Sequence, residues 1–338
     1  MDMQSLLEQT ADAVLKRVDT APLKGKAVLL TGATGLIGVN LSAALRKAGA
    51  SLSEPHRDAS PTGKYDFVIH AAGYAQPTKF MADPMATIRV NTSMLADLIN
   101  GLRANGRLLF LSTSEVYSGN PRGLHREDDI GATNPAHDRG CYIESKRCGE
   151  AICHAARASG QEALIARVSS VYGPGVRAKD TRVMSQFIDA AIRDDEIVMK
   201  DGGQARRVFL YVSDAVEMLL NILLHGNGAV YNVGGPAMNT GRNGATYSNL
   251  NGETTIGQLA RKIGDVMKVP VKVPGGYGAV ARAMSSSGLP GAPAHVGLDL
   301  ARYLREFPKE QWVSIDDGIK RTIEWHRQLA GAKARVAA

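Results

Sequence analysis

"TGATGLIG", residues 31–38, follows a short apolar strand, "KAVLL" (26–30), and opens a stretch of helical period, "LIGVNLSAALRKAG" (36–49). Glycine tolerates the backbone of a tight turn and lets N–H groups approach a bound anion. The helix that follows presents unpaired N–H groups and the positive end of its dipole. A lone glycine triplet says little. Gly32, Gly35 and Gly38 between a strand and a helix predict a pyrophosphate cradle.

The same alternation continues on the C-terminal side. "YDFVIHAAG" (65–73) reads as a buried strand, "PMATIRVNTSMLADLINGL" (84–102) as helix and "RLLFLST" (107–113) as strand. "YIESKRCGEAICHAARA" (142–158) reads as helix and "EALIARVSSVYG" (162–173) as strand. Strands alternating with long helices imply βαβ units, a parallel sheet and helices on both faces. The expected fold is therefore α/β, a Rossmann-type doubly wound parallel sheet with a smaller C-terminal substrate-binding α/β part. The expected boundaries are an N-terminal helix over 1–20, a dinucleotide domain over 21–175, a substrate part over 176–330 and a flexible tail over 331–338. The Gly- and Asn-rich stretch 235–252 reads as a loop. "SIDDGIKRTIEWHRQL" (314–329) reads as a closing helix, with Ser314 and Asp317 suited to its start.

Composition narrows the class. The chain has 338 residues, is 44% hydrophobic and 22% charged, and carries 36 glycines, a globular profile without an apolar run long enough to span a membrane. The acidic start "MDMQSLLEQTADAVLKRV" lacks the apolar core of a signal peptide. Cys141, Cys148 and Cys153, an odd count without metal-like pairing, suggest reduced thiols in a cytoplasm and no zinc site. The net charge of +7 is not interleaved with aromatics, which argues against a nucleic-acid partner and is compatible with a cleft for a small anion.

An acid is expected at the end of the second strand, to bind the adenosine ribose. Only "ASLSEPHRDASPTGK" (50–64) separates the first helix from "YDFVIHAAG", so a full strand–helix unit does not fit there. Asp58 is the candidate, with Glu54 and Arg57 as weaker ones; Arg57 would favour a 2′-phosphate.

The apolar strand 108–111 ends in "STSEVYS" (112–118), an unusual load of polar side chains for a core strand. Tyr142 and Lys146, at i and i+4, share one helix face. In open α/β sheets, ligands bind beyond the carboxyl ends of the strands. Oxidising a secondary alcohol requires removal of its proton, which a phenolate can accept. Free tyrosine titrates near pH ~10, and lowering that by roughly 3 units takes about 4 kcal/mol. A nearby ammonium and a cationic nicotinamide favour the phenolate. Thr113 is placed to hold the substrate oxygen. His70 reads as packing beneath the cofactor.

Together "TGATGLIG", "FVIHAAG", "STSEVYS", "YIESK", "RVSSVYGPG", "RRVFLYVSD" and "YNVGG", in this order, resemble the extended short-chain dehydrogenase/reductase family, specifically its nucleotide-sugar epimerase/dehydratase branch. The resemblance runs from "LLTGATGLIG" to "IDDGIKRTIEWHR". It implies NAD as cofactor, held by Gly32, Thr34, Gly35, Leu36, Ile37, Gly38, Asp58, Ala71 and Ala72 with Tyr142 and Lys146. It implies Thr113, Glu115, Tyr142 and Lys146 as catalytic. Thr113, Ser114, Ser170 and Arg207 would face the nucleotide sugar, Arg207 at its diphosphate; Ser170 stands where many relatives have Asn. A cytoplasmic homodimer through the helices of 84–99 and 142–156 is implied as well.

Thr113-Ser114-Glu115 is similar to the triplet of UDP-glucuronate decarboxylases, whereas 4,6-dehydratases carry Thr-Asp-Glu. Those decarboxylases also have an Arg before a proline near the C-terminus. Here "GLPGAPAHVGLDLARY" (288–303) lacks it, with His295 or Arg282 as substitutes. The expected order is decarboxylase, then 4-epimerase, then dehydratase. An NADP-dependent carbonyl reductase and a non-catalytic dinucleotide sensor are further alternatives.

Overall fold

The structure, a computed structural model, describes residues 2–56, 63–236, 254–274 and 297–337. The chain opens with α1 (Met3–Leu15), whose first turn is capped by the Asp2 carboxylate accepting from Ser5 N–H at 2.7 Å. There follow β1 (Ala27–Thr31), α2 (Leu36–Lys47), β2 (Ser51–Ser53) and β3 (Tyr65–His70). Three short helices, α3 (Pro77–Ala82), α4 (Pro84–Asn91) and α5 (Ser93–Asn100), lead into the long strand β4 (Leu102–Thr113). Then come β5 (Leu124–His125), α6 (Gly140–Ala158), β6 (Glu162–Val168) and β7 (Ser170–Tyr172). The C-terminal half holds α7 (Val183–Asp194), β8 (Ile197–Val198), β9 (Arg206–Arg207), β10 (Phe209–Tyr211), α8 (Val212–His225) and β11 (Val230–Val233). It ends with β12 (Thr254–Thr255), α9 (Ile256–Met267), β13 (Val271–Lys272), β14 (Gly297–Leu298), α10 (Ala301–Glu306) and α11 (Ile315–Ala337).

Six parallel strands form the main sheet in the order β11-β6-β4-β3-β1-β2. Their residues alternate between two cores. Val28, Leu30, Ile69, Leu109 and Leu111 face one that includes α1, α2 and α8, while Leu29, Val68, Leu108 and Phe110 face one that includes α5 and α6. Strands buried on both faces read as unbroken apolar runs, as these do. After β1 the chain steps outward to β2, then returns to the other side of β1 as β3. The crevice between the carboxyl ends of β1 and β3 is thus the point where strand order reverses. The shortened 50–64 segment retains an edge strand, β2, but its central residues, including Asp58 and Arg57, lie outside the described ones.

Several expected elements are subdivided. The helix expected from Pro84 breaks at Thr92, whose hydroxyl donates to Ile88 O at 2.8 Å and competes with the helical ladder. α4 itself starts afresh from α3 because Asp83 caps Ala86 N–H and Pro84 fits a first turn. The strand expected over 162–173 splits at Ser169. β6 stays in the main sheet, and β7 leaves it to pair with β10. The N-terminal helix ends at Leu15 rather than 20, and the expected tail over 331–338 is helical as far as Ala337. Both α8 and β11 lie beyond residue 175 yet pack on or join the main sheet, so the two expected parts interleave there. The 235–252 loop, His295 and Arg282 fall on or run into residues outside the described ones.

Candidate active site

The glycine loop joins β1 to α2. Gly32 has φ +73°, and a Cβ there would lie 2.6 Å from the backbone of Ala71 and Ala72. A Cβ on Gly38 would lie 2.0 Å from Gly32 O. These two glycines therefore let the β1–α2 turn close against β3. Gly35 is the N-cap of α2 and offers no side-chain acceptor, so the first N–H groups of the helix, at Leu36, Ile37 and Gly38, face outward for a ligand. The Leu36 side chain is itself buried, leaving its backbone for this purpose. Arg177 Nε donates to Thr34 O at 2.7 Å, and its guanidinium also reaches the Thr34 hydroxyl, placing a cation on the loop. This cradle, with Ala71 and Ala72 against it, fits a dinucleotide pyrophosphate.

His70 lies under the crevice, fully buried. Its Nε2–H faces Val90 O at 2.8 Å, so Nδ1 accepts from the Thr31 hydroxyl at 2.7 Å, and that oxygen accepts from Ala72 N–H at 3.3 Å. Burial, with Lys146 nearby, holds the imidazole neutral down to about 3. The ring fixes the turn after β3 and is no acid or base at neutral pH.

Thr113 ends β4 opposite Val168 of β6. Its hydroxyl oxygen accepts from Glu115 N–H at 3.2 Å, which starts a 3₁₀ turn over Ser114–Tyr117. The same hydroxyl lies near the Tyr142 phenol and favours its ionised form. Tyr142 is 6% exposed. Burial pushes its pKa well up and the Glu115 carboxylate pushes it further, while the Thr113 hydrogen bond and Arg139 oppose them. Lys146 lies one turn along α6, where its ammonium donates to Leu111 O at 2.7 Å and rests 4.5 Å from the centre of the Phe110 ring. Burial pulls Lys146 down to about 7, against the raising influence of Glu150. A Cβ on Gly73 would sit 3.7 Å from the Lys146 ammonium, so the segment after β3 and α6 meet here.

The structure thus brings Thr113, Tyr142 and Lys146 together beside the glycine loop. Ser114 is half-buried in the turn. Ser170 is exposed on β7, two residues beyond the ladder partner of Thr113. Arg207 on β9 is electrostatically coupled to Glu115 and Arg139, and burial lowers its pKa. Glu54, a weaker cofactor candidate, is ion-paired with Arg46.

Two partners were not among the sequence candidates. Arg139, the N-cap residue of α6, clamps Glu115 with both arms of its guanidinium, Nε donating to Oε2 at 2.8 Å. Glu150, four residues past Lys146, accepts from Ser112 Oγ at 2.5 Å and from Arg167 Nη2 at 2.7 Å. Arg167 in turn donates to Tyr117 OH and Glu127 O, both at 2.8 Å. The polar strand end is therefore divided: Ser112 and Tyr117 serve a buried ionic network, and Thr113 faces the reaction side. Among the described residues no group of His, Cys, Asp or Glu is arranged to hold a metal ion, and no helix is long and apolar enough to cross a membrane.

Comparison with known proteins gives concordant findings. The profile of the NAD dependent epimerase/dehydratase family matches residues 28–234. UDP-glucuronic acid decarboxylase 1 of Xenopus tropicalis is 34% identical over 173 residues, 51% of this chain and 41% of that protein. UDP-glucuronic acid decarboxylase 6 of Arabidopsis thaliana is 32% identical over 212 residues, 62% of this chain and 57% of that protein. The chain thus spans about half the length of these curated relatives. Among solved structures, the epimerase Mth375 of Methanothermobacter thermautotrophicus superposes with TM-score 0.72 at 20% identity, covering 94% of this chain and 96% of that one. MoeE5 in complex with UDP-glucuronic acid and NAD does so with TM-score 0.70 at 21% identity, covering 89% and 99%. At that identity the likeness shows the fold.

Proposed function

The chain belongs to the NAD dependent epimerase/dehydratase family, and from that premise we propose that it modifies a nucleotide sugar through a 4-keto intermediate, as a UDP-glucuronate decarboxylase. The observation that carries the chemistry is the buried Tyr142 phenol near the Thr113 hydroxyl, with the Lys146 ammonium one turn along α6 on Leu111 O. NAD, when bound, supplies reversible two-electron oxidation of the sugar C4 alcohol. Gly32, Gly35, Gly38 and the N–H groups of Leu36 and Ile37 would hold its pyrophosphate. Tyr142 accepts the C4 hydroxyl proton, and Thr113 holds both oxygens in line. Lys146 opposes the desolvation that otherwise keeps the phenol protonated. Arg207, with Ser114 and Ser170, faces the nucleotide diphosphate and sugar. Residues 21–175 would supply the dinucleotide side of the site and 176–330 much of the substrate side.

With C4 as a ketone, a C5 carboxylate is a β-keto acid and can leave as CO₂. Glu115 beside Thr113 turns that carboxylate out of the ring plane by repulsion, or orders the water that protonates C5. Ser114, at the middle place of the triplet, is a poor proton donor, which disfavours a 4,6-dehydratase. A 4-epimerase is the alternative reading. It is favoured by the engagement of Arg139 with Glu115, which leaves that guanidinium committed to the protein rather than to a substrate carboxylate. The exposed Met85 on α4 and exposed Cys148 on α6 lie on the face proposed for a homodimer.

The test is incubation with a panel of nucleotide sugars, products read by mass, and denaturation of the purified protein with chromatography of the released dinucleotide. Release of CO₂ from UDP-glucuronate with NAD recovered supports the reading. C4 epimers without CO₂ establish the epimerase instead. A continuous requirement for added NADPH would point to a carbonyl reductase.

A further inference from the structure

Arg139 lies outside the Tyr-x-x-x-Lys pair, and its surroundings join two features of the site. Its guanidinium takes both oxygens of Glu115. It also lies over the Phe80 ring, 5.1 Å from the centroid. Phe80 in turn stacks on Tyr142, with centroids 4.7 Å apart and planes 4° from parallel. Arg139, Phe80 and the phenol ring form a continuous stack, with Glu115 bridging from the guanidinium back to the strand end. The whole stack is dry: Arg139 is 5%, Phe80 0% and Tyr142 6% exposed.

We propose that Arg139 is a positioning residue for Tyr142, clamping Glu115 and, through Phe80, the phenol ring, so that the acid beside the base adds little net negative charge there. The inference rests on Tyr142 being the base of the proposed reaction. A lone carboxylate near a phenol opposes its ionisation. The groups facing Tyr142 are Thr113 from the end of β4, Glu115 from the turn that follows it, and Arg139 at the start of α6, with Lys146 one turn further along α6. Glu115 opposes the phenolate; Thr113 and Arg139 favour it. Arg207 from β9 faces the pair from the substrate side. Glu115 is thereby available to a substrate at a smaller penalty to the base.

The test is the ionisation of Tyr142 in the NAD-bound protein, read by carbon-13 NMR of tyrosine labelled in the ring and assigned by loss of its signal in Tyr142→Phe. Arg139→Met should raise the phenol's titration midpoint by about 1 unit, and the acid limb of the kcat profile should move with it. Arg139→Lys should restore part of the shift. Glu115→Gln added to Arg139→Met removes both charges and should return the midpoint toward that of the parent. A midpoint that stays put in folded, NAD-binding Arg139→Met overturns the proposal, as does a double variant that titrates like Arg139→Met alone. If Arg139→Met does not fold, the double variant, which leaves no unpaired charge, and Arg139→Lys carry the measurement. The NMR midpoint needs no substrate, so failure to turn over any nucleotide sugar would refute the proposed function separately.

Discussion

Glu150→Gln tests whether the ionic network under the site holds it together. The Glu150 and Arg167 side chains are 8% and 10% exposed. The carboxylate accepts from Ser112 Oγ at 2.5 Å, Arg167 Nε at 3.0 Å and Arg167 Nη2 at 2.7 Å. An amide of the same shape has one acceptor oxygen and turns an N–H pair toward a donor. Removing one partner of a buried pair typically costs about 3–5 kcal/mol. Arg167 keeps two acceptors, Tyr117 OH and Glu127 O, so the lower end applies, about 3 kcal/mol. Urea unfolding of the dinucleotide-free protein, followed by the fluorescence of Trp312 and Trp325, should show a lower midpoint with unchanged slope. The paired replacement Glu150→Leu with Arg167→Met leaves no orphan charge and should recover most of the loss. A loss under about 1 kcal/mol in Glu150→Gln would refute the reasoning, because it would mean that water reaches the pair.

Tyr142→Phe should leave the fold and NAD binding intact and lower turnover at least ~10²-fold, measured in single-turnover assays with the substrate found by mass. Gly38→Ala should abolish dinucleotide binding by equilibrium dialysis, since its methyl would meet Gly32 O at 2.0 Å. His70 binds its proton at about 3 in the fold against 6.5 in the unfolded chain, so its contribution to stability is full above 6.5 and is lost as pH falls toward 3. In urea titrations across that window, His70→Gln should fall less steeply than the parent.

Much of this was legible because βαβ units advertise themselves through hydrophobic runs and glycine spacing. The strand ends with Thr113 and the helix face with Tyr142 and Lys146 both follow from local pattern, and in the structure Tyr142 lies near Thr113 with Lys146 one turn along α6. The breaks at Asp83, Thr92 and Ser169 were not legible, since a polar residue between apolar stretches reads equally as the exposed face of a continuing element. Arg139 was missed because the Tyr-x-x-x-Lys spacing drew the eye forward along α6. It lies three residues before Tyr142, and that interval on a helix was a usable signal. Glu150 carried the same signal four residues after Lys146. What no spacing shows is that Ser112 and Arg167, from two different strands, converge on it. Asp58 remains an expectation from sequence, outside the described residues.

Tyr142, Lys146 and Glu150 follow one another at intervals of four on α6, each just over one turn of helix above the last. A residue inserted or deleted between any two would swing those beyond it by about 100° around the axis. Base, cation and buried counter-charge would then part company in one event, whereas substitution removes them singly. Changes of length should therefore be admitted in the surface segments and barred from this stretch of α6. Natural variants and engineered insertions alike should respect the count of residues from 142 to 150 before they respect the identities of the side chains between.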